Sequence, residues 1–254
     1  VTAPVFVVEP GAIGVGLGPG DRWTLTGPEA RHAASVQRLR AGEPIEVVDG
    51  AGTRLRGDVA DGSGPGAVEI SVREVAHEQP PTPRLVLVQA LAKGGRDEMA
   101  VEAATELGVD AVRPWQSERS VVQWRGDKKA KGEQRWRALV HAATKVARRS
   151  WLPEVLPFVR GNALVDVVAE AVAGGAVVLV LHEVASAPLV QVPLEGVREV
   201  MVVIGPEGGI SDDEVDALVA AGGAAVLLGP NVLRSSTAGP AALAAISARS
   251  GRWA

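Results

Sequence analysis

The 254-residue chain contains no cysteine, which excludes disulfides, thiolate metal sites and a cysteine nucleophile together. Its four histidines, His32, His77, His141 and His182, have no spacing that sets two on one helical face, so no metal is expected. Long apolar runs are missing as well. The longest uncharged stretch, Ala217 to Leu233, is interrupted by Gly222, Gly223, Gly229, Pro230 and Asn231 and cannot form the roughly 20-residue apolar helix that spans a bilayer. Val1 to Gly20 has no basic start and is broken by Pro4, Pro10, Pro19 and several glycines, so no signal peptide is expected. These absences point to a cytoplasmic protein with no membrane partner. Neither Gly-x-x-x-x-Gly-Lys-Ser/Thr nor Gly-x-Gly-x-x-Gly opens a helix after a strand, which removes the usual signatures of nucleotide hydrolysis and dinucleotide redox chemistry. Internal repeats and low-complexity tracts are lacking.

What is present describes a folded protein. Hydrophobic residues make up 46% and charged residues 22% of the chain, a balance that supports a packed core. The length suits two domains, and Gln79-Pro80-Pro81-Thr82-Pro83 is the clearest linker, because clustered prolines favour an extended segment that no helix can cross. Residues 1–78 are expected to form a small β-barrel: short apolar runs at Pro4–Val8, Pro44–Val48 and Ala67–Val75 alternate with Gly and Asp clusters, with one helix from Pro28 to about Leu39. Residues 84–254 change to strands followed by helices. Arg84–Ala90 leads into Asp97–Leu107, with Gly108 as a C-terminal cap; Asp110–Pro114 is a short strand and Lys128–Arg149 a long helix. Val177–Leu181, Glu199–Ile204 and Ala224–Leu228 are apolar runs of strand length that stop at polar or glycine clusters. The pattern is that of an α/β domain with a mostly parallel sheet.

The formal net charge is −4, yet the charges are unevenly placed. Between Arg125 and Arg149 stand Arg125, Lys128, Lys129, Lys131, Arg135, Arg137, Lys145, Arg148 and Arg149 against Asp127 and Glu133. Such a run is often a solvated helix face. Interleaved with Trp124, Trp136 and Trp151, it also offers phosphate neutralisation and flat surfaces for unstacked bases, although Trp136 and Trp151 could equally be core residues.

The strongest local signal lies near the end of the chain. A strand leads into Gly205-Pro206-Glu207-Gly208-Gly209-Ile210, a helix follows, and a second strand leads into Leu228-Gly229-Pro230-Asn231-Val232-Leu233-Arg234 before a final helix. Ser211-Asp212-Asp213-Glu214 has the spacing of a capping box. Loops at the carboxyl ends of parallel strands are where ligands bind in open α/β sheets, and glycine lets a ligand approach the backbone closely. One such loop could be a turn and nothing more; two, the second ending in arginine, point to a ligand. A phosphate would meet Glu207, Asp212, Asp213 and Glu214, which satisfy the helix dipole themselves. A neutral adenosine carrying a cationic sulfonium suits this loop better.

These two motifs resemble the pair that forms the cofactor pocket of the RsmE family, within the SPOUT superfamily. The resemblance covers nearly the whole chain: His32, Val36, Arg38, Gly42 and Asp49-Gly50 in the first part, then Gln89-Ala90-Leu91, Lys93-Gly94, Ala104 to Val109, Glu118-Arg119-Ser120 and Arg135-Trp136. It implies an α/β SPOUT domain with a trefoil knot, an N-terminal PUA-like RNA-binding barrel, a homodimer, and S-adenosylmethionine bound by Leu181, His182, Glu183, Gly205, Pro206, Glu207, Gly208, Gly209, Leu228, Gly229, Leu233 and Arg234. The implied activity is methylation of N3 of a uridine in 16S ribosomal RNA, with a small-subunit particle as partner. A ring nitrogen needs no cysteine nucleophile, since its lone pair is exposed once the proton leaves. Arg234 is the expected stabiliser of the resulting negative charge, or else a structural partner of Glu207. Glu183 and Glu106 are the expected proton acceptors. The expected RNA contacts are Arg38, Arg40, Lys93, Arg119, Arg125, Lys128, Arg135, Arg148 and Arg149. Ser236 stands where an acid is common in the family, Ala103 where lysine is, and Lys145 where glutamine is. Methylation of another RNA nucleotide, and a noncatalytic RNA-binding or ribosome-assembly role, are the alternatives.

Overall fold

The computed structural model describes residues 3–64 and 66–253. The chain divides into two compact units, one running to Pro80 and also taking Thr144–Leu152, the other built from Pro81–Ala143 and the residues from Pro153 onward.

The first unit contains β1 (Val5–Val7), β2 (Arg22–Thr26), α1 (Gly27–Arg31), β3 (Pro44–Val48), β4 (Thr53–Val59) and β5 (Ala67–His77). These strands form one curled sheet in the order β1-β3-β4-β5-β2, parallel between β1 and β3 and antiparallel elsewhere. Alternate residues of the strands point inward, so Leu25, Ile45, Val47, Leu55, Val68 and Ile70 are fully buried in one cluster with Phe6. The register slips between Arg56 and Gly57, a bulge of the kind that bends a strand so that the sheet can curl. α1 carries Pro28 in its first turn and continues as a wider, π-type turn over His32–Val36. The segment 144–152 is bound here by charge. Lys145 meets Glu29 at 2.7 Å and lies over the Phe6 ring, and Arg148 meets Glu46 at 2.9 Å. Arg54, almost wholly buried, bonds Glu46, Glu78 and the Arg148 carbonyl, which supplies the partners a buried guanidinium requires.

The second unit contains β6 (Arg84–Ala90), α2 (Arg96–Glu106), β7 (Ala111–Gln116), α3 (Asp127–Val146, whose last turn joins the first unit), β8 (Glu154–Val155), β9 (Val159–Arg160), α4 (Ala163–Ala173), β10 (Val177–Leu181), β11 (Glu199–Ile204), α5 (Asp212–Ala220), β12 (Ala224–Val226) and α6 (Ser235–Ser250). The strands pair in the order β12-β10-β11-β6-β7-β8, with β9 also on β7, and every pair is parallel. β6 shows why its sequence reads as a continuous apolar run: Leu85 and Leu87 enter one core cluster and Val86 and Val88 the other, so both faces are covered. α2 and α6 supply Val101, Ala104, Leu243 and Ile246 to the first cluster; α4 and α5 supply Leu164, Val168, Val215 and Leu218 to the second. Each such Leu or Val contributes roughly 1.5–3 kcal/mol relative to exposure.

Beyond the end of α6, Arg252 donates to Asp110 at 2.8 Å, to the Gly108 carbonyl at 2.6 Å and to the Pro83 carbonyl. This ties the carboxyl end of α6 beside the start of β6. Its amino end therefore lies toward the carboxyl ends of the strands. Among the described residues no helix is long and apolar enough to cross a membrane.

Two sequence expectations need correction. The long basic helix stops at Val146 rather than Arg149. Trp136 is 1% exposed and stacks edge-on against Trp124, which also packs on Phe158, while Trp151 lies against Gly52. Trp136 therefore fills the interior, and Trp124 and Trp151, half-buried, each have one side engaged by the protein.

Candidate cofactor site

A cavity of about 710 Å³ opens at the carboxyl ends of β10, β11 and β12, within the size range of small-ligand sites. Three chain segments make its wall: Leu181 to Glu183 after β10, Ile204 to Ile210 after β11, and Leu227 to Ser235 after β12, with Ala238 of α6. Each of the twelve residues expected to hold a cofactor, from Leu181 to Arg234, lines this one cavity. Leu181, Ile204, Ile210, Leu228 and Leu233 give it apolar surface; the loops add backbone N–H and C=O groups. A Cβ on Gly205 would come within 2.7 Å of Ile210 Cγ1, so the first loop closes on itself only with glycine there. Gly229 differs. A Cβ on it would meet no protein atom within 4 Å, and its φ lies outside the left-handed region, so neither packing nor backbone geometry demands glycine at this position of the wall.

The electrostatics depart from the sequence reading. Of the four acids expected to crowd the first loop and helix start, only Glu207 lines the cavity. Glu214 is buried in the capping box of α5 with Ser211 and accepts the Glu118 N–H at 2.8 Å, and Asp212 and Asp213 lie exposed on the first turn of that helix. Glu207 is itself engaged: it accepts from Arg96 Nη1 at 2.7 Å and from the Lys93 N–H at 3.0 Å. Burial alone would push its carboxyl up, but these hydrogen bonds and the Arg96 charge hold it below the ordinary carboxylate value. Arg119 donates to the carbonyls of Gly208 and Ile210, so the first loop is clamped from two sides. Lys93, Arg96, Arg119 and Arg234 against Glu183 and Glu207 make the cavity lining cationic.

The remaining expected residues scatter. Glu106 is exposed at the far end of α2 and does not line the cavity; ten residues of helix from Arg96 correspond to about 15 Å. Lys93 and Arg119, expected to touch RNA, line the cofactor cavity. Arg38, Arg40, Arg125 and Lys128 are exposed. Arg135 is paired with Glu98 at 2.7 Å and Arg148 with Glu46, which leaves them less free for phosphate, and Arg149 follows Arg148 in the segment bound to the first unit. The sequence reading missed Arg96, Ile204, Ile210, Leu227, Pro230, Asn231, Val232, Ser235 and Ala238 as lining residues. Ile204, Ile210 and Asn231 adjoin the two glycine loops and could have been included on position alone; Arg96 had no local signal.

Residues 78–247 match the family model described as an RNA methyltransferase domain, and residues 25–72 the one described as an RNA methyltransferase PUA domain. The ribosomal RNA small subunit methyltransferase E of Mycobacterium tuberculosis is 44% identical over 90% of this chain and 87% of its own length. The chain belongs to the ribosomal RNA small subunit methyltransferase E family. The member from Bacillus subtilis is 28% identical, covering 89% of each chain. The crystal structure of the Neisseria gonorrhoeae member bound to S-adenosyl methionine superposes with a TM-score of 0.81 at 26% identity, over 98% of both chains. Membership makes this chain an S-adenosylmethionine-dependent RNA methyltransferase of SPOUT fold with an N-terminal PUA domain. The residues present fit the cofactor: apolar side chains and backbone polar groups surround the cavity, and the bare face of Gly229 adjoins open space that a ligand can fill.

Proposed function

We propose that the protein methylates N3 of a uridine in 16S ribosomal RNA, with the substrate presented in a small-subunit particle, and that it works as a cytoplasmic homodimer. The observation that carries the reading is the placement of Arg234. It lies at the end of the second glycine loop, lines the cavity, is exposed, and has no carboxylate partner among the described residues. Glu207, the partner it might have taken, is occupied by Arg96 and the Lys93 N–H. A guanidinium left open beside the reacting centre suits an anionic uracil. Bound S-adenosylmethionine supplies the methyl group: the N3 lone pair forms the new N–C bond while the C–S bond breaks and its electron pair returns to sulfur.

The chain's own residues supply the rest. Glu183, exposed on the cavity wall without an ion-pair partner among the described residues, accepts the imide proton directly or through water. Arg234 faces the charge then shared by the uracil oxygens and N3. The exposed cations Arg38, Arg40, Arg125 and Lys128 hold the RNA backbone, and Lys93 guides the target nucleotide into the cavity. The base must be unpaired or flipped to reach it. The residues from 84 onward, apart from Thr144–Leu152, form the catalytic domain, and residues 1–78 with Thr144–Leu152 the RNA-holding domain, joined at 79–83.

Arg234→Ala should abolish most methyl transfer while changing cofactor affinity only modestly. Turnover equal to wild type would remove Arg234 from the mechanism. Nucleoside analysis of 16S ribosomal RNA from cells lacking the protein should show 3-methyluridine gone; its persistence would exclude the N3 assignment.

A further inference from the structure

The helix ends of this chain follow one rule, with two exceptions. α2, α4, α5 and α6 each give way within two residues to a left-handed backbone, and the residue there is glycine every time: Gly108, Gly175, Gly222 and Gly251. The next N–H then closes the end on a carbonyl five residues back, Val109 on Ala104, Ala176 on Ala171, Gly223 on Leu218 and Arg252 on Ser247. Glycine takes this conformation freely, whereas a Cβ crowds the following carbonyl. The exceptions are both arginine. Arg148, with φ 56°, follows α3, and Arg38, with φ 55°, follows the π-type turn that continues α1.

The fold explains Arg148. Its guanidinium meets Glu46 at 2.9 Å and its carbonyl accepts from the buried Arg54, so these contacts offset the strain. Arg38 has no such explanation: it is exposed and makes no ion pair among the described residues. Its neighbours, in contrast, are anchored. Gln37 donates to the His32 carbonyl at 2.9 Å, Leu39 packs on the core of the first unit and donates to the Ala33 carbonyl at 3.1 Å, and the His32 ring stands edge-on to Phe6. Arg38 is therefore held outward on a fixed base. Arg31 and Arg40, on the same stretch of chain, are likewise exposed and without ion-pair partners among the described residues. Glu43, the acid nearest in sequence, accepts the Arg40 N–H at 2.9 Å. Wide helical turns and backbone held in sparsely populated regions both cluster at functional sites.

We infer that Arg38 is a dedicated RNA phosphate contact, carried on a backbone whose strain is retained for the RNA and not for the fold. The inference deepens the reading that the first unit holds RNA, and rests on it. A guanidinium fork meets a phosphate with two parallel donors, and cations left without acids complement the nucleic-acid backbone. Because Gln37 and Leu39 are already fixed, the turn loses little freedom when RNA binds. Arg31 and Arg40 add attraction on either side.

The test compares Arg38→Gly with Arg38→Ala in the full chain. Glycine removes the guanidinium and the strain together; alanine removes the guanidinium alone. Filter binding to purified 16S ribosomal RNA should show both variants weaker by about 10- to 100-fold, with the slope of log K against log salt lower by about 0.7–0.9. Kd for S-adenosylmethionine should stay within about twofold of wild type. In thermal melts the glycine variant should gain about 2–4 °C in Tm while the alanine variant stays near wild type, so weaker binding cannot be ascribed to unfolding. Arg148→Gly, which gives up the Glu46 pair, should lower Tm. RNA affinity unchanged in both Arg38 variants, or a Tm that falls with glycine at 38, overturns the inference. Failure of the underlying reading looks different: a variant with Arg31, Arg38 and Arg40 all changed to alanine would then bind RNA as wild type does. If Arg38 alone is misassigned, that triple variant weakens and the Arg38 variants do not.

Discussion

Gly229→Ala separates what the fold needs from what the ligand needs. The added methyl group would meet no protein atom within 4 Å, and the backbone there is not left-handed. Folding should therefore tolerate alanine, and the reduced freedom of the unfolded chain favours the variant by about 0.4–1 kcal/mol. Gly229 lines the cofactor cavity, so the added methyl group is expected to take space from the ligand. An extra carbon in a filled site costs roughly 1–3 kcal/mol, which is about a 5- to 150-fold rise in Kd. Titration calorimetry with S-adenosylmethionine measures the affinity, and a thermal melt of the free protein measures the fold. The expected pair of results is weaker binding with an equal or higher Tm. A Kd unchanged from wild type would mean that the cofactor does not approach this loop, and the cavity assignment would fail with it.

Two further outcomes follow from buried and paired charges. Asp97 is 6% exposed at the start of α2, and burial, aided by the Glu98 charge, pushes its carboxyl up to about 6 against the hydrogen bonds that it accepts from backbone N–H groups. Its folded value thus lies above the unfolded 3.8, so its contribution is most favourable below about pH 4 and is lost as pH rises through 6, by about 3 kcal/mol at most. Asp97→Asn should flatten that part of the stability profile in denaturant titrations from pH 4 to 8; a difference between variant and wild type that stays constant with pH would refute this. For RNA, Lys128 and Lys131 are exposed on α3 without ion-pair partners among the described residues. Replacing both with alanine should lower the slope of log K against log salt by about 1.4, at roughly 0.7 per single-strand phosphate contact. Arg135→Ala, already paired with Glu98, should change it much less, and equal effects would show that the pairing does not hold in solution.

The parts of this molecule that were legible in its sequence are those whose cause is local. β6, β10 and β11 are apolar runs whose ends the structure places as read, because a strand covered on both faces has no other pattern. The capping box at Ser211 and Glu214 is four residues long and formed as spaced. The two glycine loops closed on one cavity for the same reason, each following a strand of one parallel sheet. β2 and β4 were not read, since Arg22–Thr26 and Thr53–Val59 mix charged and polar residues with few apolar ones, and the partners that bury Leu25 and Leu55 lie elsewhere in the chain. The clamp on Glu207 was illegible in principle. Arg96 stands 111 residues before it, and Arg119 stands 89 before Gly208. The return of residues 144–152 to the first unit depends likewise on Glu29 and Glu46, distant acids that no helical periodicity can announce.

Those long-range pairs decide which charges at the cavity remain for ligands. Glu207 might have been the counterion of a sulfonium, but Arg96 and the Lys93 N–H already hold it, and Arg119 spends its donors on the Gly208 and Ile210 carbonyls. These groups fix the shape of the first loop. Glu183, Arg234 and the Lys93 ammonium line the same cavity with no such partner among the described residues. A side chain that is engaged by the fold cannot also reorganise around a substrate without releasing its partner, and releasing a charged one costs more than a neutral contact returns. The division therefore assigns shape to Glu207, Arg96 and Arg119, and proton, anion and RNA handling to Glu183, Arg234 and Lys93. The signs agree with the chemistry: one acid to take a proton, and two cations where negative charge must be carried.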